Sequence, residues 1–262
     1  MLRFWDDRTG SYAELDASPS IPLRVCVHGP SDGAWSGLAD LRVLLVADVL
    51  TRIAELQGLQ VIAVLATASL PPAAFEQDAS ALGVHPSART SPAEAEVSLG
   101  GPAHVHVARN AAGLSDRGDG VLIGVGPVED LTLHEAGGRG AALSAYGGDG
   151  GDGLSLRLEL LSHSHRQPVK LTEAALADAA ESLGRWRARV AEWAGEPSRP
   201  IPPETAGRIR NAFDEDLNTV AALAVLHDVE SGHDMPAGAE FETFAFVDRV
   251  LGLELTREIG HR

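Results

Sequence analysis

Residues 27–50, VHGPSDGAWSGLADLRVLLVADVL, decide the fold. They continue a β-rich run, LRVCVH (23–28), through a loop of Gly, Pro, Ser and Asp into a long apolar-periodic segment. There Leu41, Leu45, Val49, Ile53 and Leu56 recur at helical spacing, and Gly58 stands beyond the last turn, where a C-cap belongs. A second β run, QVIAVLA (60–66), follows at once. Strand, helix and strand in that order predict a parallel pair with a right-handed crossover, the arrangement in which α/β folds seat a phosphate at a helix N-terminus. The stretch opens like a nucleotide-binding unit. Whether the residues that would use a nucleotide are present is a separate question.

Three more runs read as strands: AHVHVA (103–108), VLIGVG (121–126) and LSLRLEL (154–160). The Pro- and Ala-rich segment 71–102 reads as a short helix near Phe75–Leu82 followed by loops. Residues 110–120 and 134–153 are rich in Gly, Asp and Ala. GGDGGDGL (147–154) is one copy of a glycine-aspartate string that binds calcium only when stacked in several copies, so it reads as a flexible loop. From Thr172 the pattern turns helical. Leu176, Ala179, Leu183, Trp186, Val190 and Trp193 make one apolar stripe, with Thr172 as N-cap and Glu173 in the first turn. A Pro-rich link, EPSRPIPPE (196–204), precedes three helical segments near 204–216, 219–230 and 240–252. The expected organisation is an α/β Rossmann-like domain over residues 1–165 and an α-helical bundle over 166–262.

Composition narrows the class. The 262 residues carry 37 acidic and 21 basic side chains, a formal net charge of −16, and Lys170 is the only lysine. Nucleic-acid binding draws its affinity from cations on phosphates, so this acidic chain disfavours RNA and DNA. The one dense basic string, RWRAR (185–189), reads as the solvent face of an amphipathic helix. A single cysteine, Cys26, excludes an internal disulfide. No apolar run is long enough for a membrane span, and MLRFWDDRTG lacks the layout of a secretory signal; a cytoplasmic protein is expected.

Two segments make a family visible. NAFDEDLNTVAALAVLHDV (211–229) resembles the "M-D-D-D-L-N-T-P-x-A-L-A-V-L" helix pair of cysteinyl-tRNA synthetases, and LRLELLSHSHRQPVKLTEAAL (156–176) resembles their "L-R-L-x-L-L-S-x-H-Y-R-x-P-L-x-F-S-E-E-A-L". LRFWDDRTGSYAEL, FEQDASALGVHP (75–86) and DRVLGLEL (248–255) fall into register in the same order. The resemblance extends to the mycothiol-pathway cysteine ligase. It implies a class I synthetase-type Rossmann-like sheet, without the family's long insertion, then a helical bundle without the anticodon-binding module.

The same resemblance shows what is missing. Residues 28–50 stand opposite "C-G-P-T-V-Y-D-Y-I-H-I-G-H-A-R-x-x-V-x-F-D-V-L", with Gly29, Pro30, Arg42, Asp48, Val49 and Leu50 in agreement. The family's leading zinc-ligand cysteine is His28, and its HIGH tetrapeptide is Gly37-Leu38-Ala39-Asp40. Adenylation needs donors and positive charge aimed at the phosphates. Here one histidine donor is deleted and the other is an anion, which a magnesium ion would have to bridge. The K-M-S-K-S loop needs two lysines ahead of the bundle, and Lys170 alone lies at the bundle entry. The family's zinc set of two cysteines, a histidine and a glutamate is not assembled. Cys26 and His28 share a strand face, but two groups fall short of a four-ligand structural site. His104, His106, His134 and Glu135 read as ordinary strand or loop residues, and Arg139 resembles no phosphate clamp. The chain contains no Walker motif, and no G-x-G-x-x-G follows a strand run.

Two functions follow as expectations. The first is a shortened, motif-degenerate paralogue, a pseudoenzyme with no catalytic residue, no metal and no cofactor. It would bind a protein partner or a second copy of itself, with His28, Gly29, Pro30, Asp32, Trp35, Asp40 and Arg42 as a remnant pocket open to a small molecule. The second is a divergent, tRNA-independent amino-acid ligase using ATP and magnesium through Asp40 and Arg42. Charging of tRNA is opposed by the charge and the missing loop.

Overall fold

A computed structural model describes residues 2–15, 20–35, 37–85, 87–109, 119–131, 153–232 and 234–260. It begins with an antiparallel hairpin, β1 (Arg3–Asp6) and β2 (Ser11–Glu14). Next come β3 (Leu23–His28), α1 (Leu38–Leu56), β4 (Val61–Ala66), α2 (Ala73–Ala81), β5 (Ala88–Thr90), α3 (Ala95–Leu99), β6 (Val105–Arg109) and β7 (Val121–Val125). The last five strands form one all-parallel sheet in the order β5-β4-β3-β6-β7. The hairpin covers the β7 edge: the Asp6 and Asp7 carboxylates accept the Leu122 and Gly124 N–H groups at 3.0 and 2.7 Å. An otherwise open edge is thereby occupied.

The helical region follows β8 (Val128–Asp130): α4 (Leu154–Leu161), β9 (Val169–Leu171), α5 (Glu173–Trp193), α6 (Pro203–Asp214), α7 (Thr219–Ser231) and α8 (Ala237–Leu251). β8 and β9 form a small parallel pair. The Thr172 hydroxyl accepts the Ala175 N–H at 3.2 Å, so α5 starts at the cap read from sequence. One cluster of buried side chains runs from Phe4 through α1 to Trp186, Phe244 and Leu255. The molecule is α/β, a Rossmann-like parallel sheet followed by a helical region. Among the described residues no helix is long and apolar enough to cross a membrane.

Strand alternation divides the sheet chemically. Val25, Val27, Val105 and Val107 face α1 in the large core. Cys26, Val64 and Ala66 face the other way, against Ala95, Leu99 and Ala103.

Three sequence readings are corrected. LSLRLEL is the helix α4, not a strand. Leu154, Leu156, Arg157, Leu158, Leu160 and Leu161 are all buried in it, and a helix enclosed on nearly every side shows no 3.6-residue stripe. Residues 71–102 hold β5 and α3 as well as α2. RWRAR is half core: Trp186 is buried, and Arg187 donates to the Leu253 and Glu254 carbonyls. His134, Glu135, Arg139 and residues 147–152 of GGDGGDGL lie outside the described residues.

Buried charge fixes α1 against the helical region. Asp48 accepts from Arg157 Nη2 at 2.7 Å, Arg52 Nε at 2.8 Å and the His85 N–H at 3.2 Å. Burial alone would raise the Asp48 pKa, but Arg157 and Arg52 outweigh it and hold the carboxyl below its ordinary range. Arg157 also donates to the Leu82 and Leu251 carbonyls. At Gly252, with φ of +61°, a Cβ would come 2.9 Å from Arg157 Nη2, so glycine is required on two counts.

His165 is 7% exposed, and burial, then Arg166 and Arg42, push its pKa down to about 3. The folded imidazole stays neutral, whereas in the unfolded chain it binds a proton below about pH 6.5. Its contribution to stability is complete above that pH and is lost as the pH falls towards about 3. Urea unfolding should therefore weaken through this window. His165→Gln should flatten the fall by up to about 1.4 kcal/mol per pH unit relative to the parent; equal slopes would show that His165 is not buried neutral.

Candidate functional site

The loop after β3 is anchored to the β4 side. Gly29 N–H donates to the Ala66 carbonyl at 2.9 Å, and a Cβ on Gly29 would lie 2.8 Å from the Thr67 side chain. The Pro30 carbonyl accepts the Gly33 N–H at 3.1 Å, closing a tight turn. Exposed Asp32 accepts the Ala34 N–H at 3.0 Å. Trp35 packs on Phe75, ring centroids 4.7 Å apart, and its indole N–H reaches the Ser69 carbonyl at 3.4 Å.

At the entrance of α1, Gly37 takes φ +64° and supplies no side-chain cap. Asp40, 4% exposed, pairs with Arg109 Nε at 3.0 Å. Arg42, 1% exposed, is directed elsewhere. Its Nη1 donates to the carbonyls of Gln167 (2.7 Å), Gly126 (3.0 Å) and Pro127 (3.4 Å), and its Nη2 to that of Ser164 (2.8 Å). Burial lowers its pKa to about 10, which leaves it charged at neutral pH.

Of the seven residues grouped from sequence, Gly29 and Trp35 lie side by side in the loop, whereas Arg42 is turned to carbonyls of other segments. Asp40 and Arg42 belong to α1, whereas His28 belongs to the sheet face opposite α1. The cavity of greatest note is lined by other residues. It measures about 500 Å³ and sits between α1, α2 and the β4–β5 edge, with Leu44, Ala47, Phe75, Val84 and Ala88 among its walls. None of the seven residues borders it.

On the face opposite α1, the register creates a cluster of another kind. β3 pairs with β6 so that Cys26 stands beside His106, and His28 lies two residues along on the same face. The two rings meet at 3.0 Å, His28 Nε2 to His106 Nδ1. The far nitrogen of His106, Nε2, lies 3.2 Å from the Asp119 carbonyl. A carbonyl only accepts, so a neutral His106 carries its proton on Nε2 and receives the His28 Nε2–H on Nδ1. One ligand atom from each of Cys26, His28 and His106 lies within 4.8 Å of the others. Sequence reasoning paired Cys26 with His28 and set His106 aside. The alternation in AHVHVA was a signal, but only the register of β3 on β6 brings the third group in.

No protein-family model matches the chain. Among curated proteins it is similar to the L-cysteine:1D-myo-inositol 2-amino-2-deoxy-alpha-D-glucopyranoside ligase of Streptomyces scabiei, 37% identical over 119 residues, covering 43% of this chain and 28% of that protein. The ligase of the same description from Thermobifida fusca is 36% identical over 114 residues, 41% of this chain and 26% of the relative. That from Kribbella flavida is 35% identical over 107 residues, 40% and 25%. Over these 107 to 119 residues the chain is similar to cysteine ligases of that description. The matched stretch spans about a quarter of each ligase's length.

The contacts of Arg42 with carbonyls from four separate residues assign it to holding the fold together. Arg42→Met should leave buried carbonyls unpaired and lower the unfolding free energy by on the order of 3 kcal/mol in denaturant titrations. Asp32→Ala, on the exposed loop, should change it by less than about 0.5 kcal/mol. A silent Arg42→Met would remove the structural assignment.

Proposed function

We propose that this chain is a synthetase-like ligase relative that no longer adenylates and that works by binding. The observation that carries the reading is the entrance of α1. A helix N-terminus favours an anion, and the side chains around a phosphate should add positive charge or donors. Here Gly37 offers no side chain, Asp40 brings a buried carboxylate, and the nearest paired cation, Arg109, is already engaged by it. Arg42, which agrees with the family arginine, is saturated by four carbonyls. An acidic chain of net charge −16 also repels polyphosphates and tRNA. The bound species on this reading is a protein, including a second copy of this chain, or a small molecule, with no cofactor required.

A second reading is a divergent ATP- and magnesium-dependent amino-acid ligase. The ligase descriptions of the relatives favour it, and it would require Asp40 to leave Arg109 and hold a magnesium ion. Calorimetric titration with magnesium ATP separates the two. The proposed function expects no saturable heat up to millimolar nucleotide. One-site binding at micromolar affinity, abolished by Asp40→Ala, would establish the ligase reading instead.

A further inference from the structure

We infer that Cys26, His28 and His106 form a binding site for a zinc-class divalent metal ion, with one coordination position left open. The inference goes beyond the proposed function and stands whether or not nucleotide binds. It also differs from the zinc set implied by the family resemblance: Cys26 and His106 are neighbours in register on two strands, and only His28 falls at a matched ligand position.

Four observations converge. The ligand types are right, since one thiol and two imidazoles make an N₂S set suited to zinc or cobalt(II). The spacing is right, because the His28 Nε2 to His106 Nδ1 distance is 3.0 Å. Two nitrogens on a tetrahedral zinc, each about 2.05 Å from the metal, stand about 3.3 Å apart. Replacing the shared proton by an ion thus needs the rings to part by a few tenths of an ångström. The tautomer is right: the Nε2–H of His106 is directed at the Asp119 carbonyl, leaving Nδ1 to ligate. Metal-binding histidines are commonly oriented in this way by a backbone carbonyl.

The surroundings are right as well. Around Cys26 the walls are Val64, Ala66, Ala95, Leu99 and Ala103, which exclude water from one side of the ion. His28 is only partly buried and ends β3 at the carboxyl edge of the sheet, so the fourth position opens there. Three protein ligands with an exchangeable fourth is the pattern of a reactive rather than a purely structural zinc site. The ligand expected in that position is water or an incoming thiolate or carboxylate. Binding displaces the Cys26 thiol proton and the proton shared by the two rings.

The test uses the whole chain, freed of metal by a chelator, with cobalt(II) as the probe. Cys26 is the only cysteine, so a thiolate-to-cobalt charge-transfer band in the near ultraviolet reports this site alone. The expected result is a band that saturates at one cobalt per chain, has tetrahedral visible absorption beside it, and is erased by one equivalent of zinc. Cys26→Ser should abolish the band, and His106→Gln should weaken zinc at least about a hundredfold in competition with a chromophoric chelator. Circular dichroism of each metal-free variant checks that it folds. Absence of the band in the parent chain overturns the inference without any variant. Equal zinc affinity in parent and folded His106→Gln overturns the ligand set, leaving the rings as a hydrogen-bonded pair and Cys26 as packing.

Discussion

Among the described residues, α1 joins the sheet to the helical region, and it is fixed by two buried charges less than two turns apart. Arg42 gathers the carbonyls of Gly126, Ser164 and Gln167 from the end of the sheet and the start of the helical region. Asp48 gathers Arg157 from α4 and the His85 amide beyond α2. Each tie links α1 to segments more than thirty residues away. Removing one partner from such a buried set strands the others, which is why these contacts specify geometry more than they add stability.

This constraint also decides the site. A guanidinium saturated by backbone carbonyls cannot swing to a phosphate without leaving those carbonyls buried and unpaired. Asp40 sits two residues earlier in α1 and is paired with Arg109 of β6. On the α1 side, Arg42 and Asp40 are both engaged in contacts within the fold. The other face carries a thiol and two imidazoles in register, with an apolar floor beneath them. One face of the sheet is therefore closed by α1 over an apolar core, and the other carries the candidate coordinating groups.

Much of this was legible in the sequence. The strand–helix–strand opening, the Thr172 cap and the last three helices follow from apolar period and turn chemistry, which are local signals. The misreading of LSLRLEL has a local cause too, since alternate leucines say nothing when nearly every side of the segment is buried. Strand β5 is three residues long and α3 five, too short for periodicity to declare them. The fate of Arg42 and the approach of His106 to Cys26 are of another kind. They depend on which strand lies beside which, and no spacing along the chain encodes that pairing.

We propose that a synthetase-like scaffold persists here while adenylation does not. The most direct measurement is amino-acid-dependent exchange of labelled pyrophosphate into ATP, run with cysteine and with a mixture of the other amino acids, in magnesium and with the zinc-loaded chain. The expected result is no exchange above the blank under any of these conditions. Saturable exchange that disappears with Asp40→Ala would contradict the claim, and would show that the buried carboxylate at the start of α1 still holds magnesium ATP.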